Sequence, residues 1–182
     1  IVLNQIRDMF HDLDFDACLV SCGTCMESLV KLDAEQIFGC PVTDVAEYVL
    51  NHLKTSIKGE QNCLYHAPCH DSLKDAAPSL LKTHGITVTP VPFCCSEAGT
   101  MALSTPNISY SMLVRKQQAL DHVPGDGHTK ILTNCPSCLQ GLGRHPFLTP
   151  VHLAEELAIR LGNSHWQTTL KDQAQTCETV TF

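Results

Sequence analysis

Lys130-Ile131-Leu132-Thr133-Asn134-Cys135-Pro136-Ser137-Cys138 reads as a strand that ends in thiols and opens a helix. Lys130 to Thr133 is a short β-forming run, Cys135 to Cys138 is a CxxC, and a short helix follows. This order places both thiols at the carboxyl edge of a sheet. The helix N-terminus there favours thiolate over thiol. The same grammar occurs near the start of the chain. Ala17-Cys18-Leu19-Val20 reads as a buried parallel strand that ends in Ser21-Cys22-Gly23-Thr24-Cys25, and Met26 to Val30 continue as a helix.

Two more strands lie between these copies. Cys63-Leu64-Tyr65-His66 leads into the loop Ala67-Pro68-Cys69-His70. A helix over 72–84 follows, with Leu73, Ala76, Ala77, Leu80 and Leu81 inward, and Gly85 stops it. Ile86 to Val91 alternates as a strand and delivers the chain to Phe93-Cys94-Cys95-Ser96-Glu97-Ala98-Gly99. Helices are expected over 1–13, over 107–123 and over 151–161. Residues 33–53 read as a connector and a helix capped by Thr43 or Asp44. Pro124 to Gly127 is a turn, and the tail after Asn163 is polar. The fold expected is α/β. It has a mostly parallel, Rossmann-like sheet with flanking helices and the cysteine loops at the strand carboxyl ends.

An internal repeat is visible. Leu19 to Leu29 aligns with Leu132 to Leu142, and Val45-Ala46-Glu47 aligns with Leu153-Ala154-Glu155. The second copy carries a lone Cys, a Cys-Cys and a CxxC, whereas the first holds only its CxxC. The domains expected are the C-terminal half of a first repeat over 1–57, a complete second repeat over 58–163, and a tail over 164–182. Residues 54–62 form a polar linker between the halves. The chain opens on Ile1 and is expected to be the C-terminal piece of something longer.

Cys94 and Cys95 are adjacent, and disulfide geometry disfavours a bond between neighbours. They are expected to face a shared third object with Cys69, Cys135 and Cys138. Five thiols exceed the four that a structural zinc takes, and they suit an iron–sulfur cluster. Zinc held by four of them is the alternative. His66 and His70 flank Cys69 and are candidates to bond sulfur or metal from beside the thiols. Asn134 and Ser137 are weaker candidates to donate to sulfur, and Glu97 reads as a capping carboxylate. Cys18, Cys40, Cys63 and Cys177 have no partner at metal spacing.

The bulk composition narrows the function classes. The chain has 182 residues and 11 cysteines, with a formal net charge of −7. That charge argues against nucleic acid or an anionic membrane as the main partner. No apolar run approaches the ~20 residues of a membrane helix. Without a secretory leader, metal or redox chemistry is a better account of the thiols than a disulfide framework. No GxGxxG fingerprint occurs.

Tyr65-His66-Ala67-Pro68-Cys69-His70, Cys94-Cys95 and Cys135-Pro136-Ser137-Cys138 together resemble the cysteine-rich domain family. That family occurs as tandem repeats in one of the subunits of heterodisulfide reductase and in the iron–sulfur subunit of glycolate oxidase. It also occurs at the C-terminus of large FAD-linked 2-hydroxyacid (D-lactate type) oxidoreductases. The resemblance covers about residues 60–145, and the half-repeat extends it back to about residue 17. It implies that Cys69, Cys94, Cys95, Cys135 and Cys138 hold a [4Fe-4S] cluster, of noncubane type if heterodisulfide reductase is the guide. Cys22 and Cys25 would be ligands in the full-length parent. One departure is Ser96, where the family usually has Gly.

The function expected is electron transfer, from flavin to an acceptor, within an oxidoreductase that this piece does not catalyse alone. FAD and the flavin-containing domain or subunit would lie elsewhere in the parent. The location expected is cytoplasmic, including a peripheral position at the inner face of the membrane. Two alternatives use the same thiols: a heterodisulfide reductase-like thiol/disulfide redox site, and a zinc-held structural module.

Overall fold

The computed structural model of the chain describes residues 2–10, 12–54, 57, 62–97, 101–123 and 129–162. The first half runs α1 (Val2–Phe10), β1 (Cys18–Val20), α2 (Gly23–Lys31), α3 (Ala34–Phe38), β2 (Val42–Asp44) and α4 (Val45–His52). The second runs β3 (Asn62–His66), α5 (Ala77–Thr83), β4 (Thr87–Pro90), α6 (Met101–Ser104), α7 (Pro106–Asp121), β5 (Thr129–Thr133), α8 (Pro136–Leu142), β6 (Leu148–His152) and α9 (Leu153–Gly162). Every strand pairing among the described residues is parallel. The α/β architecture is present as two sheets, a two-stranded β1-β2 and a four-stranded β4-β3-β5-β6.

Both faces of the larger sheet are covered. Successive strand residues point to opposite faces. Cys63, Tyr65 and Leu132 therefore pack on one side, and Leu64 and Ile131 on the other. The first side is closed by α4, α5 and α9 through Leu50, Leu81 and Leu157. The second is closed by α7 and α8 through Leu120 and Leu142. Because α4 belongs to the first half, the two halves share one core. The linker expected over 54–62 falls mostly outside the described residues. Ile57 within it is buried and donates its backbone N–H to His84 O at 2.8 Å.

Several local expectations change. β1 is half-exposed, with Leu19 at 45% exposure, because among the described residues it has a strand neighbour on one edge only. The connector after residue 33 contains α3 and β2. The helix expected from residue 72 begins at Ala77, because the Asp71 carboxylate accepts the N–H groups of Leu73 and Asp75. Those bonds wind a turn in which Lys74 and Asp75 take positive φ. The helix expected from residue 151 begins at Leu153, since Val151 is taken into β6 opposite Leu132. The first helix ends at Phe10. The turn at 124–127, Gly99, the tail and Cys177 lie outside the described residues.

The two segments aligned in the sequence make matching contacts. Val20 pairs with Asp44 across β1 and β2, and Thr133 pairs with His152 across β5 and β6. Asp44 caps α4 by accepting Ala46 N–H at 2.7 Å, and His152 Nδ1 accepts Ala154 N–H at 3.2 Å. Each then crosses to the other half. Asp44 Oδ2 accepts from Asn134 Nδ2 at 2.5 Å and Ser72 Oγ at 2.6 Å, while His152 Nε2 donates to Ser21 O at 2.9 Å. Asp44 is fully buried. Replacing it with Ala leaves the Ser72 hydroxyl without its acceptor, leaves the Asn134 amide only its bond to Ser72, and uncaps α4. Asp44→Ala is expected to cost about 3 kcal/mol, read as a lower urea midpoint with the slope unchanged.

Candidate metal centre

The chain leaves β3 for β4 on one side and returns to β5 on the other. In open α/β sheets such a reversal opens a crevice at the strand carboxyl ends. The loops leaving β3, β4 and β5 carry Cys69, Cys94-Cys95 and Cys135-Cys138 into that crevice.

The backbone around the cysteine pair is unusual. Phe93 and Ser96 bracket it with φ of 68° and 63°, a left-handed conformation that side chains disfavour. This turn brings Ser96 N–H to 3.4 Å from Cys94 Sγ. It also explains the glycine usual at the position of Ser96 in the resembling family. α8 passes so close that a Cβ on Gly141 would sit 2.7 Å from Cys95 O, so only glycine admits the loop.

The five thiols fall into two contacting groups, joined through the adjacent Cys94 and Cys95. Cys69 Sγ lies 3.4 Å from Cys94 Sγ, and Cys95 Sγ lies 3.2 Å from Cys138 Sγ. Cys135 is in hydrogen-bond contact with Cys138. Cys95 and Cys138 are buried, Cys94 and Cys135 are half-buried, and Cys69 is exposed. The Cys138 thiol, bonded to Cys135 and Cys95, is pushed up. Cys95 is pulled down to about 4 by the Cys138 bond, then by His66 and the Glu97 backbone N–H. Cys135 is pulled down to about 6 by Cys138 and by the Cys138 and Ser137 backbone N–H groups. Burial holds Cys94 up at about 11. These contacts favour the thiolate at Cys95 and Cys135 and the thiol at Cys138 and Cys94.

His66 is buried, and it presents a ring nitrogen within 4.8 Å of the Cys95 and Cys138 sulfurs. His70 is placed differently, and its Nδ1 pairs with the Glu27 carboxylate on α2. The Asn134 amide N–H is committed to Asp44 and Ser72, and Glu97 pairs with Arg144. Cys22 and Cys25 contact each other at the start of α2. That helix abuts the Cys69 loop, since a Cβ on Gly23 would sit 1.5 Å from His70 O.

One functional candidate is not among those the motifs mark. Lys116 of α7 is fully buried beneath the cysteine pair. Its position four residues before Leu120 and four after Met112 sets a charge inside an apolar helical stripe. That placement is the signal the sequence carries.

Residues 63–143 match the cysteine-rich domain family. The matched stretch begins within β3 and ends just past α8, and it contains Cys69, Cys94, Cys95, Cys135 and Cys138. The glycolate oxidase iron-sulfur subunit of Escherichia coli (strain K12) is 29% identical over 98 residues, covering 50% of this chain and 24% of that protein. The matched part spans about a quarter of that relative's length. No helix among the described residues is long and apolar enough to cross a membrane.

Two measurements check this geometry. Ser96→Gly relieves the left-handed strain and removes a buried hydroxyl that has no hydrogen-bond partner among the described residues. It is expected to stabilise the metal-free protein by about 1 kcal/mol, read by chemical denaturation. In the reduced, metal-free protein, ultraviolet thiolate absorbance is expected to rise in steps near pH 4 and pH 6, well below the ordinary thiol value of 9.0. Cys95→Ser removes the lower step.

Proposed function

We propose that the chain is an iron–sulfur electron-transfer module of a flavin-linked 2-hydroxyacid oxidoreductase. The observation that carries this is the convergence of Cys69, Cys94, Cys95, Cys135 and Cys138, one thiol more than a tetrahedral zinc site uses. The donor set fits a [4Fe-4S] cluster, with the noncubane form as the reading. The buried Ser96 Oγ has no hydrogen-bond partner among the described residues, and cluster sulfur is the kind of acceptor it lacks, while the buried His66 ring already faces the Cys95 and Cys138 sulfurs. When bound, the cluster supplies one-electron redox chemistry at a potential set by burial and by hydrogen bonds to sulfur.

The chain's own residues hold the cluster site. The strained 93–96 turn aims both adjacent thiols into the crevice. Cys135 and Cys138 approach from the first turn of α8, and the β3 loop brings Cys69 from the solvent side. Cys69 and Phe93 are exposed, and they mark the face on which an electron partner would dock. The flavin belongs to a partner domain or subunit. The organisation proposed is a half-repeat over 1–57, a full repeat over 58–163 and a tail over 164–182. Cys22 and Cys25 would serve as ligands in the full-length parent. The relative's iron–sulfur role supports the same reading.

The test is iron and acid-labile sulfide per chain after anaerobic reconstitution, with electron paramagnetic resonance of the same sample. The expected result is about four irons, lost in Cys94→Ser or Cys95→Ser. Zinc near one per chain with no iron uptake would make this a structural module and overturn the proposal.

A further inference from the structure

Lys116 has an unusual set of neighbours. Its Nζ lies 2.8 Å from Pro92 O, 3.1 Å from Phe93 O and 3.4 Å from Val91 O, all in the segment that leads to Cys94. It also lies 3.0 Å from His66 Nδ1. An unpaired ammonium is too costly to bury, so its acceptors and nearby charge must offset the lost water. Here both are present. Burial pulls Lys116 down to about 8 even though the sulfurs of Cys95, Cys138 and Cys94 oppose that pull.

The contacts assign the hydrogens. Three of the four neighbours are carbonyl oxygens, which only accept. Three carbonyl dipoles turn their negative ends to Nζ and favour an ammonium over a neutral amine; the ammonium has three hydrogens and no lone pair, and Val91 O, the longest contact at 3.4 Å, shares a hydrogen with its neighbours. Facing an ammonium, His66 Nδ1 must accept, so the ring hydrogen sits on Nε2. That atom is buried, in a ring that faces two thiol sulfurs. Sulfur carries lone pairs toward that nitrogen, so a hydrogen on Nε2 suits the contact and a second lone pair there would repel.

We infer that Lys116 is a positioning residue for the thiol site: it fixes His66 as an Nε2–H donor to sulfur and so removes His66 from the set of metal ligands. The same ammonium ties down the Val91–Phe93 carbonyls and holds the backbone that presents Cys94 and Cys95. An effect of Lys116 on cluster potential rests on the cluster reading; its effect on the imidazole does not.

The experiment is nitrogen NMR of the histidines in the metal-free, 182-residue chain at neutral pH, with His66 assigned by its loss in His66→Gln. The wild-type spectrum is expected to show an unprotonated Nδ1 and a protonated Nε2 at His66. In Lys116→Met, that fixed tautomer is expected to be lost. After reconstitution, Lys116→Met is expected to shift the midpoint potential to more negative values. His66→Gln, which keeps an N–H donor, is expected to retain the full iron content.

A wild-type His66 with the hydrogen on Nδ1 overturns the inference, as does loss of iron in His66→Gln. If Lys116→Met fails to fold, the wild-type spectrum still decides. If the wild-type chain takes up no iron but shows the Nε2–H tautomer, the cluster reading falls and the positioning role stands. If iron binds and the tautomer is reversed, the positioning role falls alone.

Discussion

Parallel pairing on both edges of β3 is the constraint on which the thiol site depends. β3 bonds to β4 through Asn62–Tyr65 and to β5 through Leu64–His66. Parallel strands cannot be joined by a tight hairpin, so each connection must cross a face of the sheet and return. The three strands therefore end at the same edge and release their loops together. Thiols separated by dozens of residues in sequence become neighbours without any bond between them. The tight approach of α8, admitted by Gly141, then closes the crevice from one side.

Electrostatics follow from this enclosure. A cluster of thiols away from water would ordinarily stay protonated, because desolvation disfavours the anion. Here backbone N–H groups, the Cys138 thiol and a histidine face the sulfurs, and a buried lysine lies behind the histidine. Several weak donors converge on one place, where the low local dielectric strengthens each of them. The strained turn at Phe93 and Ser96 is the conformational cost of that convergence, held by the Lys116 contacts to the carbonyls preceding it.

Much of this is legible in the residues. The strand–CxxC–helix order at Lys130 to Cys138 points to the parallel architecture, and the spacing of Cys69, Cys94-Cys95 and Cys135-Cys138 picks out the group that meets. What the residues leave hidden has physical causes. β2 and β6 are short strands absorbed into neighbouring helical patterns, and only pairing with β1 and β5 separates them. The late start of α5 reflects Asp71 side-chain bonding, which competes with helix at that point. Asp44 reads in sequence as a cap alone, because its second role depends on Asn134, ninety positions away. Lys116 is inconspicuous because charge on a helix is usually solvated. Only its place within the Met112–Leu120 stripe marks it, and His70 shows the converse, a motif histidine engaged by the glutamate of a different helix.

The crossing contacts of Asp44 and His152 have a further consequence. Each half offers the residue at the end of its last strand to the residue just beyond the next-to-last strand of the other half. The same patch thus meets itself, rotated, as in an isologous dimer. The side chains have diverged to a carboxylate on an amide in one arm and an imidazole on a carbonyl in the other. The two reciprocal contacts give the joint between the halves the form of a dimer interface carried within one polypeptide.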